Sequence, residues 1–136
     1  MIRIQAIWLR FCTGLICLLF FACSKNTISP QFEPEISNKT DTFEFQATSV
    51  ENISQTLQYT WQNTGKVANI NQANSLSSGT ATITIKDASG AEVYNKDLKE
   101  NGTFVSGEGT VGAWRIVVNL SGVDGTLNFR AEKRTQ

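Results

Sequence analysis

The stretch GTATITIKD, residues 79–87, decides the fold class because its apolar and polar residues alternate strictly. Ala81, Ile83 and Ile85 fall on one side of an extended chain, and three threonines and a lysine fall on the other. Successive side chains of a β-strand point to opposite faces, so the pattern predicts a strand with one buried and one solvated face. The β-branched residues that dominate it also favour a strand.

The same period of two recurs on both sides of this stretch. It covers TFEFQAT (42–48), TLQYTWQ (56–62), AEVYNKDL (91–98), GAWRIVVNL (112–120) and GTLNFRAEK (125–133). The pattern is weakest in AEVYNKDL, where it places Val93 inward and Tyr94 outward. The predicted core consists of Phe43, Phe45, Leu57, Trp61, Ile83, Ile85, Trp114, Ile116, Val118, Leu127 and Phe129.

Short runs rich in Gly, Asn, Asp and Ser separate these segments. They are NTG (63–65), DASG (87–90), ENG (100–102) and SGVDG (121–125), and we predict a turn at each. The glycine-rich VSGEGTVG (105–112) predicts a loop, and ENISQTL (51–57) is the one candidate for a short helical turn.

About seven or eight short strands in fewer than 100 residues predict an all-β domain, an antiparallel two-sheet β-sandwich. We expect the domain to cover residues 41–136. In outline it resembles the immunoglobulin-like and fibronectin-type sandwiches, without the paired cysteines of antibody domains. A jelly-roll is the alternative arrangement.

The N-terminus has a different character. Residues 1–10 carry Arg3 and Arg10, and residues 11–22, FCTGLICLLFFA, are mostly apolar. Twelve residues are too few for a helix that crosses about 30 Å of hydrocarbon. A charged region, a short apolar run and a small residue at its end, Ala22, are typical of an export signal.

With Cys23 directly after Ala22, this region resembles the lipobox-type signal peptide of bacterial lipoproteins, and of Bacteroidota-like ones in particular. The resemblance implies that residues 1–22 are cleaved between Ala22 and Cys23, and that Cys23 is acylated and anchors the chain to a membrane. Phe20 and Phe21 depart from the usual pattern of Leu and a small residue. An ordinary cleaved signal peptide is the alternative. Ser24, which is not an acidic retention signal, favours the outer membrane, with the domain facing the periplasm or the cell surface.

Residues 23–40 contain both prolines of the chain, Pro30 and Pro34, and show no periodicity. We therefore expect a flexible tether between the acylated cysteine and the domain. The alternative is that Phe32 and Ile36 bind part of this segment to the domain as an edge strand.

Composition excludes several functions. The chain has no histidine, and no cysteine follows Cys23, so the domain lacks the usual general base, a thiol nucleophile and the commonest metal ligands. After residue 22 there are ten basic and twelve acidic residues, a net charge of −2, which does not fit a nucleic-acid partner. GEGTVG (107–112) lacks the Lys and the helix of a phosphate-binding loop. We expect no catalytic residues, no metal and no cofactor, and therefore no enzyme.

Two groups of residues remain as candidate sites. Asp87 and Asp124 lie in predicted turns, and Asp97 lies near the end of the predicted strand 91–98. At the ends of a sandwich the three would be ligands for calcium, but without the spacing of a calcium loop. Tyr59, Trp61, Tyr94 and Trp114 would form a stacking platform for sugar rings if they lay on the surface. The alternation places Trp61 and Trp114 in the core, which leaves Tyr94 as the best exposed candidate.

The function that follows is a membrane-anchored envelope lipoprotein with a non-catalytic binding or interaction β-sandwich. One alternative is a carbohydrate-binding surface lipoprotein with a glycan partner. The other is a structural or assembly partner in an envelope complex, which would pair with a protein through an open sheet edge.

Overall fold

The protein was analysed as a computed structural model, which describes residues 32–135. Within this range there are seven strands and no helix. The strands are β1 (Glu35–Lys39), β2 (Thr42–Asn63), β3 (Ala68–Gln72), β4 (Ser75–Lys86), β5 (Glu92–Asp97), β6 (Gly102–Val105) and β7 (Gly112–Lys133). All pairs are antiparallel. Each of the six stretches with period-two alternation overlaps a strand, as predicted.

Two long strands, β2 and β7, organise the sheet. Each has 22 residues, and they pair with each other along nearly their whole lengths. On the free side of β2, β1 pairs with its first residues. On the other side of β7 lie β3 and β4 in succession, and β6 and β5 pair with these in turn.

The long strands bend at β-bulges near their middles. The pairing register shifts between residues 47 and 55 of β2, and again where β4 meets residues 121–125 of β7. Asp124 joins the three bent strands, because its carboxylate accepts a 2.7 Å hydrogen bond from the Asn52 N–H and another from the Ser78 hydroxyl. A bulge bends a strand and increases its twist, so these positions turn the sheet back over itself.

Two sequence predictions fail at this bend. SGVDG (121–125) does not form a hairpin turn but lies inside β7, and ENISQTL (51–57) is not helical but lies inside β2. The residue types that supply the positive φ angles of a tight turn also supply those of a bulge, such as Gly122 with a φ of 57°. Local sequence therefore does not separate the two.

The folded sheet makes two layers. One contains β1, β3, β6, residues 42–47 of β2 and residues 126–133 of β7; the other contains β4, β5 and the remaining halves of β2 and β7. Residues from the two ends of β2 meet across the interior, where the rings of Phe43 and Tyr59 are 5.3 Å apart. The predicted antiparallel β-sandwich is confirmed, with its layers joined in one hydrogen-bonded sheet.

The core lies between these layers. Ten of the eleven predicted core residues are buried, and Leu57 is half-buried. Burial of each large apolar side chain contributes about 1.5–3 kcal/mol. With no cysteine in the described range, apolar burial rather than disulfide bonding stabilises the sandwich.

The predicted tether needs a correction at its C-terminal end. Residues 35–39 form β1, which pairs with β2 from Glu35 opposite Gln46 to Lys39 opposite Thr42. The edge-strand alternative therefore fits this part: Ile36 lies opposite Phe45, and Phe32 packs against the core. A tight turn with Asp41 at a φ of 69° brings β1 back along β2. Residues 23–31 lie outside the described range.

Candidate functional site

The predicted aromatic platform does not form on the surface. Trp61 and Trp114 are both fully buried and pack edge to face, with their ring centroids 5.8 Å apart. The Trp114 Nε1–H donates to the Thr110 carbonyl oxygen at 2.7 Å. These two residues belong to the core, as the alternation indicated.

Tyr94 is also buried, which corrects its prediction as the best exposed ring. It lies opposite Ile85 in the β4–β5 pair, so both side chains point inward. Its hydroxyl donates to Gln72 Oε1 at 2.8 Å, and burial together with the nearby charge of Glu100 raises the pKa of the Tyr94 phenol. A register shift between Ile85 and Lys86 leaves Val93 with no residue directly opposite it, so that both Val93 and Tyr94 pack against the core.

Tyr59 alone among the four aromatic residues is partly accessible. One side of its ring packs on Phe43 and Phe45, with centroids 5.3 and 6.2 Å away. Partial burial raises the pKa of its phenol above the ordinary value. Tyr59 lies in the second half of β2, which borders the gap between this strand and β1, and this gap is the candidate site.

We call this gap the seam: it lies between β1 and residues 53–62 of β2. One end is closed. The Asp41 N–H donates to the Gln62 carbonyl oxygen at 2.8 Å, and Asn38 Nδ2 donates to the Thr60 carbonyl oxygen at 2.9 Å. Asp41 also accepts hydrogen bonds from the Thr64 N–H and hydroxyl and pairs with Lys133 at 2.7 Å.

Toward the bend the seam is open. No hydrogen bond joins β1 to residues 53–58 among the described residues. Leu57 and Tyr59 are half-buried, whereas Val118 and Ile116, which lie opposite them on β7, are completely buried. The contrast arises because β4 covers the outer edge of β7, while β1 covers β2 only as far as Gln46.

A groove with a volume of about 400 Å³ continues the seam at the bend. Its apolar wall is formed by Phe32, Ala47, Val50 and Ile53. Ile36, on the inward face of β1, is 36% exposed. The seam and groove therefore expose a strip of apolar side chains that joins the core directly.

Among the described residues, the main chain of β2 also has no partner along this strip. The carbonyl groups of Thr60 and Gln62 point toward β1 rather than β7, as their hydrogen bonds show. In a regular strand, alternate residues direct both their N–H and C=O to the same edge. Thr56 and Gln58 therefore direct theirs into the seam, where no strand of the described range pairs with them.

The rim of the groove is acidic. Glu33, Glu35 and Glu51 line it, and no Lys or Arg of residues 32–135 does. Within residues 32–135 none of these three carboxylates takes part in an ion pair. These carboxylates therefore give the rim of the groove a negative charge, and Glu35 also lines a neighbouring cavity that contains Arg130.

The opposite edge of the sheet lacks this character. β6 has only four residues, and β5 carries Glu92, Lys96 and Asp97. Lys96 pairs with Glu100 at 2.8 Å and covers the Phe104 ring at 4.6 Å. Short edge strands with charged side chains resist pairing with other chains, so this edge is protected while the β2 edge is open.

The three candidate calcium aspartates perform separate structural roles. The Asp87 carboxylate accepts hydrogen bonds from the N–H groups of Ser89, Ala91 and Thr110, which hold the β4–β5 turn against the 106–111 loop. These donors, with the Ser89 hydroxyl, lower the Asp87 pKa to about 2. Asp124 lies at the bend, and Asp97 accepts from the Lys99 N–H. The described residues contain no cluster of acidic side chains that could hold a metal.

No protein-family model matches this chain, and neither does any curated protein. No helix among the residues that the structure describes is long and apolar enough to cross a membrane. The predicted cleavage site at Ala22 and Cys23, and the predicted acylation of Cys23, lie outside the described residues.

Sequence reasoning located part of this site. Tyr59 was among its candidates, and an edge strand through Ile36 was its alternative for the tether. The open edge at Thr56 and Gln58 was missed, because ENISQTL carries no signal of which strand edge remains unpaired. That property depends on the length of β1, which pairs only with residues 42–46 of β2.

Proposed function

We propose that this chain is a lipid-anchored protein of a bacterial envelope whose β-sandwich is a non-catalytic module that binds a protein partner at the seam. The observation that carries the binding role is the open seam, where a free main-chain edge lies beside half-buried apolar side chains. Surfaces of this kind mark protein interaction sites in soluble domains. The chain's lack of histidine, and of any cysteine after Cys23, supports a role without catalysis.

The anchor is supported by the charged, apolar and Ala-Cys order of residues 1–23. Burial of each CH₂ group of an acyl chain contributes about 0.8 kcal/mol, so several chains hold a protein stably on a membrane. The wild-type chain, expressed in a bacterium that processes lipoproteins, should incorporate labelled palmitate and lose residues 1–22. Cys23→Ser should do neither, and Cys17→Ser should behave as wild type. Label retained by Cys23→Ser would contradict the anchor.

The binding role is tested by site-specific cross-linking in the membrane-bound chain. A benzophenone side chain at Ile36, which is 36% exposed, should give an adduct of one defined mass. The same group at Val111, which is 49% exposed in a loop, is the control and should give none. When Leu57→Lys is combined with the benzophenone side chain at position 36, the adduct should no longer form. Equal adducts at both positions, or none, would contradict a binding role for the seam.

The same free edge favours a second candidate, a permanent structural role within an envelope assembly. In that case the adduct would form in every growth condition, and the chain would purify with its partner in fixed proportion. The carbohydrate-binding alternative gains no support, since three of its four aromatic residues are buried.

A further inference from the structure

We infer that the seam binds an extended, basic segment of a partner protein, which adds to the free edge of β2 as an extra strand. This inference rests on the proposed function and specifies the partner's chemistry. Three observations lead to it: the direction of the free backbone groups, the apolar strip beside them and the acidic rim.

The backbone groups require an extended ligand. Thr56 and Gln58 direct N–H and C=O groups into the seam, and the Thr60 carbonyl already accepts from a side chain there. Unpaired groups of this kind pair with another strand, which gains main-chain hydrogen bonds of about 0.5–1.5 kcal/mol each. Residues 55–60 span roughly 20 Å at about 3.3 Å per residue, which suits a segment of five to seven residues.

The apolar strip requires alternating side chains. An added strand continues the pleat of β2, so every second side chain would lie on the face that carries Leu57 and Tyr59. There it would meet Ile36 from β1 and cover the accessible side of the Tyr59 ring. The other side chains would lie beside Gln58 and Thr60 in solvent, and no apolar character is required of them.

The acidic rim requires positive charge on the segment. Glu33, Glu35 and Glu51 surround the groove at the open end of the seam, and no cation of the described range pairs with them. Complementary charge accelerates association and excludes acidic competitors. A lysine or arginine at the end of the segment nearest the bend would lie among these carboxylates.

The probe is a fluorescent nine-residue peptide that alternates Val and Thr between terminal lysines, added to the full-length chain in detergent. Fluorescence anisotropy should show saturable binding. The same peptide with glutamates for lysines should bind at least about fivefold more weakly, given about 0.2–1 kcal/mol for each surface charge pair. A lysine peptide N-methylated at every backbone amide loses the amide donors of both edges and should not bind.

Matched protein variants locate the site. Glu33→Gln, Glu35→Gln and Glu51→Gln combined should weaken binding about fivefold or more. Glu92→Gln, Glu100→Gln and Glu108→Gln combined remove the same number of charges away from the groove. The affinity of this variant for the lysine peptide should stay within about twofold of wild type. Ile36→Lys should abolish binding, and Val111→Lys, which changes another exposed apolar residue, should not.

Three results would overturn the inference. The first is equal binding of the lysine and glutamate peptides, and the second is binding of the N-methylated peptide. The third is a dimer of the chain that Ile36→Lys makes monomeric, because the occupant would then be a second copy. If no peptide binds but the cross-link at residue 36 still forms, the inference fails and the proposed function stands. If the cross-link is also missing, both fail.

Discussion

At the scale of single residues, two core tryptophans with the same burial differ in the hydrogen bonding of their indole N–H groups. Trp114 Nε1 donates to the Thr110 carbonyl, whereas Trp61 Nε1 is buried without a hydrogen-bond partner among the described residues. A buried donor without a partner costs about 1–3 kcal/mol relative to a satisfied one. The two rings therefore contribute unequally to stability even though both are in van der Waals contact with the core.

We expect Trp114→Phe to lower the free energy of unfolding by about 1–3 kcal/mol more than Trp61→Phe does. Both changes remove similar volume, but only the first removes a hydrogen bond, and it leaves the Thr110 carbonyl with only the longer, 3.4 Å bond from the Ala88 N–H. Urea unfolding of the two variants measures the difference. Equal losses would mean that Trp61 Nε1 has a partner, such as a bound water.

Asp87 makes stability depend on pH. Its folded pKa, about 2, lies below the ordinary 3.8, because backbone donors and the Ser89 hydroxyl stabilise the charged form. The contribution is present above about pH 4 and is lost as the pH falls toward 2. We expect Asp87→Asn to be less stable than wild type at pH 7, with a difference that shrinks below pH 4.

Urea unfolding between pH 7 and pH 2.5 measures this difference. Asp97→Asn removes one charge from an aspartate at the end of β5 whose carboxylate accepts a single backbone hydrogen bond, and it serves as the control. A difference between wild type and Asp87→Asn that stays constant with pH would contradict the role of the charged carboxylate.

At the scale of elements, the bends decide whether two strands become two layers. Gly79 in β4 has a φ of 77°, and a Cβ there would lie 2.2 Å from the Gly122 carbonyl oxygen. The close approach of β4 to β7 at the bend therefore requires a glycine. Gly90 in the β4–β5 turn has a similar φ, 88°, with open space around it.

We expect Gly79→Ala to cost about 3 kcal/mol or more, since it combines backbone strain with a clash that moves β4 away from β7. Gly90→Ala should cost only about 1 kcal/mol for the positive φ. Thermal unfolding measures the loss of stability in both variants. Because both glycines have a positive φ, the difference between the two losses isolates the cost of the clash at Gly79. Similar losses would mean that the bend adjusts to a methyl group.

The elements themselves were largely predictable, and their connections were not. Alternation located the strands around Phe43, Trp61, Ile83, Trp114 and Phe129, because burial of one face imposes a period of two. The stretch Ser-Gly-Val-Asp-Gly could either end a strand or bend it. The outcome depends on the hydrogen-bond partners of Asp124, which are Asn52 and Ser78 and lie far away in the sequence. The candidate site depends on long-range pairing of the same kind. The sequence therefore indicated Tyr59 as a candidate residue but did not indicate the unpaired edge of β2 at Thr56 and Gln58.

At the scale of the whole molecule, Asp41 fastens the sandwich where its two layers meet. Its carboxylate holds Thr64 and Lys133, and its main chain bonds to Gln62 and Lys133. The start of β2, the end of β2 and the end of β7 therefore converge on one residue. The seam is closed at this end and open at the other, so Asp41 sets how far the opening extends.

We expect Asp41→Asn to extend the opening. Asparagine tolerates the positive φ of this position, so the change removes charge without straining the turn. Protection from hydrogen exchange should fall about tenfold for β1 and for Thr64, through the loss of roughly one charge-assisted hydrogen bond. Protection in β5 should not change. Glu100→Gln, which breaks the ion pair with Lys96 at the opposite edge, is the control and should leave β1 unaffected.

Lowering the pH should extend the same opening of the seam in the wild-type chain. The hydrogen bond from Lys133, and then that from the Thr64 N–H, lower the Asp41 pKa below 3.8. Its contribution is therefore complete above about pH 4 and is lost as the pH falls through the folded pKa. Protection factors of β1, corrected for the intrinsic exchange rate, should decline over this range in wild type and stay level in Asp41→Asn. If the protection factors of β1 decline equally in wild type and Asp41→Asn, the titration of Asp41 does not cause the opening. The extent of the opening would then be set by the β1–β2 pairing and by a different carboxylate.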